Sequence, residues 1–237
     1  MTLFAELSLD ELYPESDGNP VADNTEQFSW IVLIKENLEI LFADRPDVFV
    51  AGDLLWYPVQ SQLIAPTAPD ALVAFGRPKG KRGSYRQWLE DNIAPQVVFE
   101  IVSPCNTKAE MQRKLEFYER YGVEEFYLFD PDRLELEGWV RRENGLDRIT
   151  SLDGWVSPRL GVKFSFDGQE FLLFRPDGQR FLSPIELSQV AAQERSRADL
   201  EQQRADFEQQ RANLAQQRAE AFAAKLRELG INPDEVG

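Results

Sequence analysis

The chain contains no histidine and a single cysteine in 237 residues. Without histidine there is no Ser-His-Asp triad, no Cys-His pair and no imidazole acid–base catalyst. The one cysteine, Cys105, excludes an internal disulfide and a cysteine-cluster zinc site. Any chemistry must therefore come from carboxylates, Lys, Arg, Tyr or Ser, or from a hard metal ion bound through oxygen.

Long apolar runs are also missing, since none approaches the roughly 20 residues that cross a bilayer. Residues 1–23 contain no Lys or Arg, which a signal or transit peptide would carry. Hydrophobic residues still make up 43% of the chain, enough for a sizeable core. These features predict a cytoplasmic globular protein with no membrane partner.

Positive charge is scarce overall but concentrated in one place. With 26 Lys+Arg against 41 Asp+Glu, the formal net charge is −15, which by itself argues against a nucleic-acid partner. The stretch 77–86 has no acid and five bases, namely Arg77, Lys79, Lys81, Arg82 and Arg86. This stretch is typical either of a solvated loop or of a surface that holds a DNA backbone.

The hydrophobic pattern divides the chain into three regions. Residues 1–24, interrupted by Pro14 and Gly18, predict an acidic and irregular arm. Residues 25–190 predict an α/β domain of the α+β kind, a mixed and largely β sheet flanked by helices. Residues 191–237 predict a long polar helix.

Within the domain, periodicity changes between helical and extended stretches. The first helix presents apolar residues three and four apart: Phe28, Ile31, Ile34, Leu38 and Leu41. We predict helices over 25–43, 85–92 and 107–121, and strands over 48–57, 71–76, 96–102, 125–130, 134–142, 147–152 and within 161–182.

The C-terminal region repeats a seven-residue unit, read as QQRADFE, QQRANLA and QQRAEAF over 202–222. Leu200, Phe207, Leu214 and Ala221 supply one apolar residue per heptad, where a coiled coil needs two. One apolar residue per heptad leaves two interpretations open. The helix is either a site of homo-oligomer formation or an exposed extension with no specific partner. Gly230 and Pro233 predict its end.

Two carboxylates lie in or beside apolar β segments. Glu100 interrupts the apolar run 96–102, and Asp70 directly precedes the strand at 71–76. An ionised carboxylate is costly to bury alone, so Glu100 must pair with a basic side chain or bind a cation. If the two strands are neighbours, both carboxylates reach one site, where the carbonyl of Ile101 can complete an oxygen shell suited to Mg²⁺.

A lysine follows this strand on the predicted helix over 107–121. Lys114 could orient an attacking water and offset charge that develops on phosphorus, while a bound Mg²⁺ polarises the phosphodiester. Tyr118 lies four residues further on and hence on the same helix face.

The segments TAPDALVAFG, APQVVFEIVSPCN and KLEFYERYGVEEFYLFDPD resemble the Uma-two family of restriction endonucleases, part of the PD-(D/E)XK nuclease superfamily. The resemblance covers about residues 25–155, and the glutamine- and arginine-rich C-terminal helix is similar to tails of family members. It implies a restriction-endonuclease-like fold and a Mg²⁺- or Mn²⁺-dependent endonuclease that hydrolyses DNA.

Carried over by position, Asp70 matches the aspartate of the PD motif, Glu100 the acidic residue of the third motif, and Ile101 the residue after it. The lysine that should follow is replaced by Val102. The resemblance implies that this lysine has moved to Lys114. It also implies further candidates for the site, which are Asp53, Tyr118 and one glutamate of the first helix among Glu26, Glu36 and Glu39.

Two functions remain open at this point. One is the endonuclease, with the basic stretch 77–86 holding DNA. The other is a catalytically inactive nuclease-fold scaffold that binds DNA or assembles through its tail. The acidic net charge and the replaced lysine favour the second. Family members often have a second PD dipeptide where this chain has Pro95-Gln96, and that difference leaves Asp70, Glu100 and Lys114 in place.

Overall fold

The computed structural model describes residues 8–16, 18, 21–166 and 169–230. The chain divides into two compact units, Met1–Pro184 and Ile185–Gly237. Among the described residues, no helix is both long and apolar enough to cross a bilayer.

The helices are α1 (Leu9–Leu12), α2 (Thr25–Leu41), α3 (Lys108–Tyr121) and α4 (Pro184–Glu228). The strands are β1 (Val48–Ala51), β2 (Trp56–Tyr57), β3 (Ala71–Phe75), β4 (Tyr85–Arg86), β5 (Val97–Ile101), β6 (Glu125–Asp130), β7 (Glu135–Arg142), β8 (Gly145–Arg148), β9 (Lys163–Phe166) and β10 (Phe171–Phe174).

The first unit contains a six-stranded mixed sheet with the strand order β1-β3-β5-β6-β7-β8. Strands β5 and β6 are parallel, and the other neighbours in this sheet are antiparallel.

The central sheet is covered on both faces, which confirms the predicted α+β class. One face packs against α2 and the β9–β10 hairpin, through residues that include Ile34, Val73, Phe99, Tyr127 and Phe164. The other face packs against α3, through residues that include Leu72, Val98, Tyr118, Phe126 and Trp139. Burial on both faces explains why β3 and β5 are nearly continuous apolar runs in the sequence.

Both predicted ends of α3 are confirmed. The Thr107 hydroxyl accepts the backbone N–H of Glu110 at 3.2 Å, and the Glu110 carboxylate accepts the N–H of Thr107 at 3.4 Å. Gly122 then ends the helix with a φ of +100°, a left-handed conformation that glycine adopts without strain. These ends set the register of α3 and turn Tyr118 towards the sheet.

The prediction of one strand over 48–57 is wrong. The chain turns at Gly52 and Asp53, where Asp53 has a φ of +47°, so β1 and β2 belong to different sheets. A Cβ on Gly52 would lie 3.3 Å from the carbonyl oxygen of Asp70, so this turn packs closely against the start of β3.

The helix predicted near 85–92 is also wrong. Tyr85–Arg86 forms β4, which pairs with β2 in parallel, and only a 3₁₀ turn follows at Gln87–Leu89. Tyr85 is fully buried, and its hydroxyl donates to the carbonyl of Ile93 at 2.7 Å, a contact that holds the segment as a compact turn.

Smaller differences concern element ends. Helix α2 stops at Leu41 rather than 43, and Phe28 is exposed instead of facing the core. The second strand of the predicted hairpin ends at Arg148 rather than 152. Within the N-terminal arm, α1 forms a capped helical turn that packs the buried Tyr13 against Tyr57.

The second unit is described by α4, which begins before residue 191 and contains no buried residue. Three repeats of one contact run along it, Gln202 to Asp206, Gln209 to Asn213 and Gln216 to Glu220, each between side chains four residues apart. Such pairs stabilise a solvated helix by a few tenths of a kcal/mol each. The predicted stop at Pro233 lies outside the described residues.

Candidate active site

Asp70 and Glu100 come from neighbouring strands of the central sheet. Strands β3 and β5 pair with Ala71 opposite Phe99, and this register continued by one residue puts Asp70 opposite Glu100. The Asp70 carboxylate accepts the backbone N–H of Ile101 at 2.6 Å. Because side chains alternate along a strand, Asp70 and Glu100 lie on the same sheet face as Leu72 and Val98, the face that α3 covers.

Glu100 is held by two donors from α3. Its side chain is 2% exposed, and one carboxylate oxygen accepts from the Lys114 ammonium at 2.8 Å. The other oxygen accepts from the hydroxyl of Tyr118. The two donors lie one helical turn apart, so a single element supplies both contacts.

The protonation of this cluster follows from burial and from mutual charge. Burial, and then the nearby charge of Glu100, raise the pKa of Asp70 well above its ordinary value. Burial is the largest single effect on Lys114 and would lower its pKa. The charge and hydrogen bond of Glu100, together with the charges of Asp70 and Glu110, outweigh burial, so the pKa is raised and Lys114 stays an ammonium. Burial raises the pKa of Tyr118 well above its ordinary value, so it remains a neutral donor.

Helix α2 contributes a residue that the sequence analysis missed. The Gln27 amide donates to the carbonyl of Ile101 at 3.0 Å, and its oxygen accepts the N–H of Asp23 at 2.9 Å. Gln27 is buried one turn before Ile31, so it continues the buried stripe of α2. The signal was available, because stepping back four residues from Ile31 leads to Gln27, whereas stepping back three leads to the exposed Phe28.

The other predicted acids are one aspartate whose charge acts on Asp70 and three glutamates of α2. Asp53 donates its backbone N–H to the carbonyl of Pro69 at 3.1 Å, and its charge contributes to the raised pKa of Asp70. The three glutamates of α2 make contacts elsewhere. These contacts are Glu26 with the Trp30 indole at 3.0 Å, Glu36 with Lys35 at 3.0 Å and Glu39 with Lys79 at 3.2 Å.

The donor set fits a hard cation in its chemistry. Asp70, Glu100 and the Ile101 carbonyl offer only oxygen, and Mg²⁺ in proteins is held by one or two carboxylates together with water and phosphate oxygens. The pKa of Asp70 is raised first by burial and then by the charge of Glu100, and a divalent cation would offset that charge. Within the part of the chain that the structure describes, no group of three or more Asp, Glu, Cys or His side chains could hold a metal. A metal here would thus need the backbone carbonyl, water or substrate to complete its shell.

The basic stretch 77–86 is occupied largely by ion pairs within the fold. Its cations contact carboxylates in the pairs Arg77–Glu90 at 3.0 Å, Lys79–Glu39 at 3.2 Å, Arg82–Glu90 at 2.6 Å and Arg86–Asp10 at 2.7 Å. The Arg82 guanidinium also stacks on the ring of Phe49 at 3.9 Å. Lys81 is exposed. DNA binding by this stretch stays a prediction, and these pairs weaken it because they neutralise most of its charge.

A cavity of about 440 Å³ lies on the α3 side of the sheet, between α3 and the end of β6. Its wall includes Val102 and Leu115, which directly follow Ile101 and Lys114 in the sequence. Val102, at the position of the replaced motif lysine, is therefore a wall residue of this cavity.

Comparison with known proteins identifies a family for this chain. A sequence model of the Uma2 family, described as "Putative restriction endonuclease", matches residues 17–167. The search of curated proteins finds no match. A crystal structure described as a putative nuclease belonging to DUF820, from Anabaena variabilis, is similar with a TM-score of 0.42 and 16% identity, over 57% of this chain and 72% of that chain. Because the family match spans more than half of the sequence, the chain belongs to the Uma2 family of restriction-endonuclease-like proteins.

Proposed function

We propose that this protein is a Mg²⁺-dependent endonuclease that hydrolyses phosphodiester bonds in DNA, with Mn²⁺ as an alternative metal. Membership of the Uma2 family supports a nuclease. The observation that carries the proposed chemistry is the meeting of a buried carboxylate pair, Asp70 and Glu100, with the ammonium of Lys114. Chemistry based on these three groups uses neither histidine, which the chain lacks, nor its single cysteine.

Each residue has a distinct part in this proposal. Asp70, Glu100 and the Ile101 carbonyl would hold the cation, which when bound supplies Lewis-acid polarisation of the scissile phosphodiester. Lys114 stays protonated beside Glu100, so it acts as a fixed positive charge rather than as a base. It would orient the attacking water and stabilise negative charge on the phosphoryl oxygens.

The test is cleavage of plasmid DNA by the purified protein and by Asp70→Asn and Glu100→Gln. We expect each substitution to lower the rate by about 1,000-fold or more, because loss of a metal ligand removes several kcal/mol of transition-state stabilisation. Glu125→Gln is the matched control, since Glu125 is a 1% exposed carboxylate elsewhere in the sheet. Full activity of Asp70→Asn would contradict the proposal.

A catalytically inactive scaffold is the second candidate, favoured by specific contacts. Both oxygens of Glu100 already accept from protein donors, and the motif position that usually carries lysine is Val102. Thermal unfolding in increasing Mg²⁺ separates the two candidates. A metal site gains about 2.7 kcal/mol when free Mg²⁺ is 100 times its dissociation constant, whereas a scaffold without a site gains nothing.

We propose further that any homo-oligomer of this chain forms through α4. Its apolar stripe, Leu200, Phe207 and Leu214, is about half exposed at each position, and no residue of α4 is buried. Pairing of two such stripes would cover them.

A further inference from the structure

The sheet contains two buried carboxylates that each accept from a buried tyrosine. Glu100 accepts from Tyr118 on the α3 side, and Glu125 accepts from Tyr127 at 2.8 Å. All four side chains are at most 2% exposed. Only the first pair contains a residue of the proposed metal site, so the second provides an internal comparison.

The hydroxyl of Tyr118 is held in place by the packing of its ring against other aromatic side chains. The ring is fully buried, lies parallel to Trp56 with centroids 6.1 Å apart, and meets the edge of Phe126 at 5.1 Å. The ring of Phe117 packs against Tyr118 as well, with centroids 6.0 Å apart. Because its ring is packed in this way, the Tyr118 hydroxyl keeps the same position when a ligand binds at the neighbouring carboxylates.

The second donor to Glu100 is held less firmly. The Lys114 side chain is 22% exposed and reaches the carboxylate through four flexible methylene groups. If Tyr118 did not donate, Glu100 would keep only this contact and could turn with the lysine. Tyr118 therefore determines the direction in which the second carboxylate oxygen points.

We propose that Tyr118 is a positioning residue, whose hydroxyl locks Glu100 in the orientation that a divalent cation requires. The inference rests on the proposed function, because it assumes that Glu100 binds the metal. Hydrogen-bond partners of metal ligands typically contribute 10- to 100-fold to metal affinity or activity.

The experiment compares Tyr118→Phe with Tyr127→Phe in the full chain. Both changes remove one hydroxyl from a buried ring that donates to a buried carboxylate. For each protein, the Mg²⁺ concentration that gives half-maximal cleavage is measured, together with the rate at saturating Mg²⁺ and the melting temperature without metal.

We expect Tyr118→Phe to raise the half-maximal Mg²⁺ concentration by about 10- to 100-fold, with most of the rate recovered at saturating Mg²⁺. Tyr127→Phe should lower the melting temperature and leave the Mg²⁺ requirement unchanged. An unchanged requirement in Tyr118→Phe, or an equal change in both variants, would overturn the inference, because either result describes a purely structural tyrosine.

Two further measurements keep the test decisive. If Tyr118→Phe does not fold, Phe126→Leu removes a ring that packs against Tyr118 and should shift the Mg²⁺ requirement several-fold in the same direction. No shift in that variant would overturn the inference. If the wild-type protein shows neither cleavage nor thermal stabilisation with Mg²⁺, the proposed function itself has failed, and the inference fails with it.

Discussion

Replacing Lys114 with methionine removes the only positive charge that the structure places against Glu100 among the residues it describes. Glu100 is 2% exposed, so its carboxylate would stay buried with the hydroxyl of Tyr118 as its remaining side-chain donor. Removing one partner of a buried ion pair costs about 3–5 kcal/mol, because the other charge is left uncompensated. For a domain of this size, that lowers the melting temperature by about 6–20 °C.

Removing the carboxylate instead should cost much less. In Glu100→Gln, the amide oxygen still accepts from Tyr118, and the Lys114 side chain, 22% exposed, can turn its ammonium towards water. We expect a loss of about 1 kcal/mol, the net value of an ordinary hydrogen bond. The double variant Lys114→Met/Glu100→Gln should therefore be more stable than Lys114→Met alone. The two losses in free energy of unfolding would then not add, which identifies the two side chains as a coupled pair.

Added Mg²⁺ extends this prediction to the metal. A cation that binds Glu100 would replace the missing ammonium, so Mg²⁺ should stabilise Lys114→Met more than it stabilises the wild type, although we expect this variant to lack cleavage activity. Urea unfolding with and without Mg²⁺ measures both effects. Lys108→Met is the matched control, because Lys108 is exposed at the start of the same helix and should change stability by less than about 0.5 kcal/mol. A Lys114→Met protein as stable as wild type, or equal stabilisation of both by Mg²⁺, would refute this reasoning.

Two other predictions concern parts of the chain outside the site. Burial raises the pKa of Glu125. As pH rises above about 4.5, this carboxyl ionises in the unfolded state before it ionises in the folded state, so the free energy of unfolding falls until the folded carboxyl also ionises. The fall is about 1.4 kcal/mol for each unit by which the pKa is raised, and Glu125→Gln should abolish it. Urea unfolding at several pH values measures the fall, and the same pH profile in wild type and variant would contradict this prediction. In α4, Phe207→Glu should convert a self-associated chain to monomer by light scattering, whereas Ala205→Glu, on the opposite side of the helix, should not; equal masses for all three proteins would rule out pairing through this stripe.

Local signals predicted the parts of the fold that local chemistry determines. The ends of α3 could be predicted because Thr107 and Glu110 bond the free backbone N–H groups at its start, and Gly122 adopts the left-handed conformation at its end. Strand β5 was readable because burial on both faces leaves a continuous apolar run. The break between β1 and β2 was not, since it depends on the close approach of Gly52 to Asp70, two positions that are distant in the sequence.

The same distinction applies to the site. Glu100 could be named from the sequence because a carboxylate in an apolar strand requires a partner, and the resemblance to the family made Asp70 and Glu100 metal candidates rather than members of ordinary ion pairs. The contact of Gln27 with Ile101 spans 74 residues and depends on how α2 packs against the sheet, so the nearby Glu26 was the apparent candidate. The basic stretch 77–86 was ambiguous for a similar reason, because Glu90, Glu39 and Asp10 neutralise it from other elements.

The position of the lysine has a mechanical consequence. A lysine at position 102 would follow Glu100 on the same chain segment and could move independently of α3. With Val102 at that position, Lys114 and Tyr118 share one rigid helical turn, and that turn contacts both oxygens of Glu100. Any shift of α3 along the sheet would then move the Tyr118 ring and the backbone that carries Lys114 together. Thr107→Ala removes the hydroxyl that caps the start of α3, so in the proposed site it should raise the Mg²⁺ concentration that gives half-maximal thermal stabilisation, without altering any group in the site.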